Sequence, residues 1–154
     1  MQNCLSLGQP CKNDMRKEND FYKMTNTKID NIVKGLTEWY ETTDIDNLLS
    51  ALKIQVKYYN KKELDVNEDA FAHGKTIELA DDVSGDYLEF LKYHELGHIL
   101  LHADIFATPI AFSGLHSKYE REANTFAVKM LMIKYDATEQ NIKNVLYTRY
   151  KISI

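Results

Sequence analysis

The sequence predicts an α+β domain in which helices pack against one face of a small sheet of about three strands, mixed or antiparallel. Hydrophobic residues recur at helical spacing near the start, the spacing changes to every second residue near position 54, and longer helical patterns return from about position 84. The chain has 154 residues, with 44% hydrophobic and 27% charged side chains. Those values are typical of one ordinary globular domain with its own core.

The polar residues 1–26 show no hydrophobic periodicity, so we expect a flexible N-terminal extension before a single domain at 27–154. Both cysteines, Cys4 and Cys11, fall in this extension. A disulfide framework is therefore not expected, and a reducing cytoplasm is the predicted compartment. We find neither a signal-peptide layout nor an apolar run of about 20 residues. The net charge of −4 argues against a nucleic-acid-binding or anionic-membrane-binding surface.

The first predicted elements are two helices. The pattern over 27–41 is that of an amphipathic helix, and Asp44 then precedes a second, shorter one. Apolar residues at helical spacing define the first helix and then the second: Ile29, Ile32, Val33, Leu36 and Tyr40, followed by Ile45, Leu48, Leu49 and Leu52.

A sheet is predicted next. Ile54, Val56 and Tyr58 alternate with polar residues, which indicates a half-buried strand. The charged stretch 60–69 is predicted to be a loop. Residues 70–72 and 76–80 are then predicted to form two strands of a hairpin.

Two long helices and a short one complete the prediction. Ser84 is the expected N-cap of a helix that continues to about residue 103. A loop containing Pro109 and Gly114 separates it from a helix over about 117–134. Thr138 is then expected to cap a final helix with Ile142, Val145 and Leu146 on its apolar side.

The run His94-Glu95-Leu96-Gly97-His98 carries the chemistry. Two histidines four positions apart project side by side on a helix, which suits two ligands of one tetrahedral Zn²⁺. Glu95 lies about 100° further round, where it could take a proton from a metal-bound water. Gly97 would allow a close neighbour. Both histidines share a predicted core-facing side with Tyr87, Phe90, Leu91 and Leu101.

The simpler alternative is a pair of core histidines bonded to main-chain carbonyls, but burying two imidazoles and a carboxylate without a metal is costly.

A third ligand is needed. The metzincin continuation would place glycine at 101 and histidine at 104, where this chain has Leu101 and Asp104. A glutamate from the downstream helix is the other common solution. Glu120 borders the apolar face of that helix, so it is the predicted ligand, with Asn124 one turn later as its supporting neighbour. Glu122 points mostly away and is expected to be a solvated surface charge, although a supporting position, or the third-ligand position in place of Glu120, stays open for it.

Two motifs together resemble the ImmA/IrrE family of metallopeptidases. They are HELGHILLH at 94–102 and EREANTFA at 120–127, and the pair at 71–79 around Gly74 is similar to the strands before the motif helix in that family. The resemblance covers roughly residues 28–146. One departure is the absence of the proline with which that family often follows the second motif helix.

This resemblance implies a gluzincin-like zincin fold, with zinc held by His94, His98 and Glu120, and with Glu95 as general base. Manganese is the alternative metal for the same ligands. The resemblance also implies a cytoplasmic protein substrate: an Xre-like helix-turn-helix repressor of a phage or mobile element, cleaved to derepress genes. We expect a monomer without direct nucleic-acid contacts. His102 matches a further family histidine and could support a ligand or hydrogen-bond the transition state.

Several points stay open at this level. Candidates for the oxyanion donor are His102, His116 and Tyr119. The substrate is expected to add as a strand at the sheet edge near 76–80. The alternatives to cleavage are an antirepressor that displaces its repressor without cutting, and a peptidase-like component of a toxin–antitoxin pair.

Overall fold

The computed structural model describes the backbone of residues 12–103 and 113–154, and the side chains of 23–103 and 117–154. The helices in these ranges are α1 (Lys12–Tyr40), α2 (Ile45–Ala51), α3 (Lys61–Leu64), α4 (Gly85–Leu101), α5 (Ser113–Tyr135) and α6 (Glu139–Tyr150). The strands are β1 (Gln55–Tyr59), β2 (Ala70–His73) and β3 (Thr76–Ala80). The α+β class and the three-stranded sheet are confirmed.

The sheet is mixed, with the strand order β1-β3-β2. β3 pairs in parallel with β1 and antiparallel with β2, so it is the central strand. The hairpin is confirmed: His73 pairs with Thr76 across a two-residue turn in which Gly74 has a φ of 57°. The expectation that a substrate strand could add at 76–80 is wrong, because both sides of β3 are already hydrogen-bonded. The outer strands of this sheet are β1 and β2.

The buried face of β1 differs from the predicted alternation at its end. Tyr58 is 56% exposed, whereas Tyr59 is 7% exposed. The hydroxyl of Tyr59 donates a hydrogen bond to the carbonyl of Glu68, and its ring packs against Phe71 with centroids 5.4 Å apart. Tyr59 can be buried because its polar end is satisfied by the loop that precedes β2.

Several boundaries differ from the predicted ones. Helix α1 begins at Lys12, well before residue 27, because a polar segment can extend a helix whose later turns are held by packing against α5. The division at residues 26 and 27 stays a prediction. Gly114 lies within α5 rather than in a loop. The predicted loop 60–69 contains the single turn α3, capped by Asn60.

Local capping mostly follows the prediction. The side chains of Asp44 and Thr138 accept hydrogen bonds from the main-chain N–H groups three residues later, at 3.0 and 3.2 Å. Ser84 precedes α4 as expected, but its side chain makes no capping hydrogen bond. Cys4, Cys11, Asp104 and Pro109 lie outside the described residues.

Helix α4 lies at the centre of the fold. It packs against α5, α2, β2 and β3, and each residue from Phe90 to His98 is buried. The sequence predicted burial of one side only. In the part of the chain that the structure describes, no helix is both long and apolar enough to cross a membrane.

Candidate metal centre

The predicted ligands converge between α4 and α5. The Nε2 atoms of His94 and His98 lie 3.0 Å apart. The two oxygens of the Glu120 carboxylate divide between them: Oε2 lies 3.2 Å from Nε2 of His94, and Oε1 lies 3.2 Å from Nε2 of His98. Four ligands at ~2.0–2.1 Å from a tetrahedral ion would be roughly 3.3 Å from one another, so the three separations fit one zinc-sized ion. Within the described ranges, these residues form a group whose ligand atoms all lie within 4.8 Å of one another.

Within this cluster, Glu120 and His94 shift each other's pKa. Burial raises the pKa of Glu120, but hydrogen bonds from the two imidazoles outweigh burial and hold that pKa well below its usual range. Burial lowers the pKa of His94, yet the hydrogen bond to Glu120 and the charge of Glu95 leave it raised overall. Without a metal, the imidazoles share their protons with the Glu120 carboxylate, and a bound cation would take the place of those protons.

Glu95 lies beside the ligands. Its side chain is 5% exposed, and burial together with the charge of Glu120 raises its pKa against the opposing effect of the two histidines. Burial is the main cause of the raised pKa of Tyr59, and the charge of Glu95 contributes to it. No pattern in the sequence pointed to Tyr59, because its burial depends on a hydrogen bond to the loop before β2 and on packing against Phe71.

Asn124, which the sequence predicted as a supporting neighbour of Glu120, contacts His94 in the structure. Its Oδ1 lies 2.8 Å from Nδ1 of His94. When Nδ1–H donates to this amide oxygen, the lone pair of Nε2 is available to a metal ion bound on the side of Glu120 and His98. The side chain of Asn124 therefore sets the tautomer and the ring orientation that a metal ligand needs.

The interpretation of Glu122 as a solvated surface charge is wrong, because its side chain is only 16% exposed. Its Oε2 lies 2.8 Å from Nε2 of His102, and its Oε1 lies 3.8 Å from the Lys118 ammonium. The side of α5 that seemed to face solvent is covered by the end of α4. Glu122 is not part of the cluster formed by His94, His98 and Glu120.

His102 ends α4 and is 3% exposed. Its Nδ1 lies 3.1 Å from Nδ1 of His98, and its ring contacts that of Tyr119 with centroids 4.6 Å apart. Burial lowers its pKa despite the opposing hydrogen bond to Glu122. The side chain of His116, another oxyanion candidate, lies outside the described residues.

No curated protein sequence matches the chain significantly. A family model, that of the IrrE N-terminal-like domain of the Peptidase M78 family, matches residues 49–153. The match spans more than half of the chain and includes the sheet, both site helices and the predicted ligands. It supports a metallopeptidase-type function and the zincin-like fold that the two motifs predicted. The chain therefore belongs to the Peptidase M78 family, whose IrrE N-terminal-like domain it contains.

Proposed function

We propose that the chain is a zinc-dependent endopeptidase in which His94, His98 and Glu120 hold the metal. The observation that carries this proposal is the convergence of two imidazole nitrogens and one carboxylate at 3.0–3.2 Å separations. Two histidines and one glutamate are a donor set of catalytic zinc sites, which keep one position open for water or substrate.

Each residue has a distinct task in this proposal. A bound zinc ion would supply Lewis acidity, polarising a substrate carbonyl and making a coordinated water more acidic. Glu95 adjoins the ligands without being one of them, so its carboxylate is free to take a proton from the attacking water and deliver it to the departing amine. Its burial keeps bulk water away from that proton transfer.

The substrate segment is proposed to add to β2 in extended form. β2 packs against α4, the helix that carries His94, Glu95 and His98, and in the described residues it pairs only with β3. Its other side can therefore offer main-chain hydrogen bonds to an incoming strand. This replaces the position at β3 that the sequence suggested.

The substrate class rests on the family resemblance. We propose a helix-turn-helix repressor, cut in the cytoplasm at an exposed linker, so that genes of a phage or mobile element are derepressed. The acidic chain, with a net charge of −4, suits action through a protein partner rather than through DNA.

The decisive experiment compares three proteins: the wild type, Glu95→Gln, and Glu38→Gln as a matched control on the exposed part of α1. Each is assayed for bound zinc by elemental analysis and for cleavage by mass spectrometry. The substrates are a defined peptide library and the helix-turn-helix repressor encoded nearest the chain's gene.

We expect all three proteins to bind zinc, and only Glu95→Gln to lose cleavage, by a factor of about 10² or more. Cleavage that survives in this variant would overturn the assignment of Glu95. If the wild-type protein releases the repressor from its operator DNA without cutting the repressor, the antirepressor function would be favoured instead.

A further inference from the structure

A chain of three side chains leads away from the metal-facing atom of His98. Nε2 of His98 faces Glu120 and His94, and its Nδ1 lies 3.1 Å from Nδ1 of His102. Nε2 of His102 lies 2.8 Å from Glu122. Both ring nitrogens of His102 therefore have partners inside the protein.

The protons shared by His98, His102 and Glu122 can be assigned to the ring nitrogens of the two histidines in one consistent way. If Nε2 of His98 offers its lone pair to a metal, its proton resides on Nδ1 and is donated to Nδ1 of His102. That nitrogen must then accept, so the proton of a neutral His102 resides on Nε2 and is donated to Glu122. An ionised carboxylate at the end of the chain accepts without needing a proton of its own.

We infer that His102 and Glu122 are a positioning pair that fixes the tautomer and ring plane of His98. This inference rests on the proposed function, since it requires His98 to bind a metal. The pair does for His98 what Asn124 does for His94, but it ends in a carboxylate rather than a neutral amide. A histidine ligand whose far nitrogen is linked to a carboxylate is a more basic donor.

Burial excludes the other role considered for His102. At 3% exposure, and with one nitrogen on His98 and the other on Glu122, it has no remaining hydrogen-bonding atom for a substrate. The ring of Tyr119 packs against that of His102, and the Lys118 ammonium lies 3.8 Å from Glu122, so both members of the pair have further neighbours on α5.

The test measures Zn²⁺ affinity by competition with a chromophoric chelator, and site geometry from the visible absorption of the Co²⁺-loaded protein. Three variants are expected to lose Zn²⁺ affinity to different extents. His102→Leu removes the acceptor for His98, His102→Asn keeps an acceptor near the position of Nδ1, and Glu122→Gln keeps a hydrogen bond while removing the charge. Glu38→Gln is the matched surface control. Thermal unfolding of each metal-free protein reports on structural damage.

We expect His102→Leu to weaken Zn²⁺ binding by about 10- to 100-fold and to alter the Co²⁺ spectrum, with smaller losses for His102→Asn and Glu122→Gln. If His102→Leu does not fold, the Glu122→Gln result decides. Variants that lower the metal-free melting temperature but bind Zn²⁺ as tightly as the wild type would overturn the inference. A wild-type protein that binds no Zn²⁺ would instead refute the proposed function itself.

Discussion

Gly97 lies where α4 packs tightly against α5 beside the candidate metal centre. A Cβ atom added at this position would lie 3.0 Å from Cδ1 of Phe126, 3.2 Å from Cα of Ala123 and 3.3 Å from the carbonyl oxygen of Ala123. The phenyl ring can adjust, but two of the three neighbours are main-chain atoms of α5. The substitution Gly97→Ala must therefore move one helix relative to the other.

Two opposing effects set the size of the change. Alanine in a helix interior is favoured over glycine by about 1 kcal/mol. Overpacking of a filled core typically costs about 1–3 kcal/mol. Gly35 provides a matched control, because it also lies in a helix and a Cβ atom added there would meet nothing within 4 Å. We expect Gly35→Ala to stabilise the fold by about 1 kcal/mol, and Gly97→Ala to be less stable than Gly35→Ala by about 1–3 kcal/mol.

Urea unfolding of the metal-free proteins gives the two free energies, and chelator competition gives the Zn²⁺ affinities. Because Ala123 lies between Glu120 and Asn124 on α5, Gly97→Ala should also weaken Zn²⁺ binding, whereas Gly35→Ala should not. Equal stabilisation by the two substitutions would refute the close approach at Gly97. A destabilised Gly97→Ala protein with unchanged Zn²⁺ affinity would refute its link to the ligands.

Two further predictions concern residues outside the metal cluster. Burial raises the pKa of Asp69, but hydrogen bonds from Lys61 and Tyr87 outweigh it and leave the pKa below its ordinary value of about 3.9. Asp69 therefore stabilises the fold fully above that ordinary value and loses this contribution as the pH falls through the lowered one. The difference in unfolding free energy between wild type and Asp69→Asn should shrink on acidification; a difference that is independent of pH would contradict this reasoning. The buried Tyr93 donates its hydroxyl to a main-chain carbonyl just before α2, so Tyr93→Phe should cost about 1 kcal/mol in urea unfolding, whereas Tyr58→Phe, at an exposed site, should leave stability unchanged.

The features that the sequence predicted well depend on neighbours along the chain. The caps at Asp44 and Thr138, the turn at Gly74 and the side-by-side histidines of α4 each follow from a few consecutive residues. Glu120 was also predicted, because one helical face distinguishes it from Glu122 as a neighbour of the apolar side of α5.

The features that the sequence missed depend on contacts between distant segments. The central position of β3 follows from its parallel pairing with β1, which brings together segments on either side of β2. Tyr59 can be buried because a main-chain carbonyl in a neighbouring loop accepts a hydrogen bond from its hydroxyl. Glu122 is withdrawn from solvent because the end of α4 lies over it, and helical periodicity within α5 cannot indicate which other helix covers a given side.

The part of the candidate metal centre on α4 depends on local helix geometry, whereas the part on α5 depends on how the two helices pack. The separation of His94 and His98 is set by the pitch of α4, and any helix with this spacing would reproduce it. Glu120 comes instead from α5. Asn124, which contacts His94, and Glu122, which contacts His102, also come from α5. We therefore expect metal affinity to depend on the packing of α4 against α5, in which Gly97 has close neighbours on α5. Conversely, a metal bound by both helices must stabilise that packing, by an amount that grows with the ratio of free metal to its dissociation constant. We expect Zn²⁺ to raise the melting temperature of the wild-type protein, and to raise that of Gly97→Ala less or not at all. This result would show that the geometry of the ligands depends on the packing of the two helices.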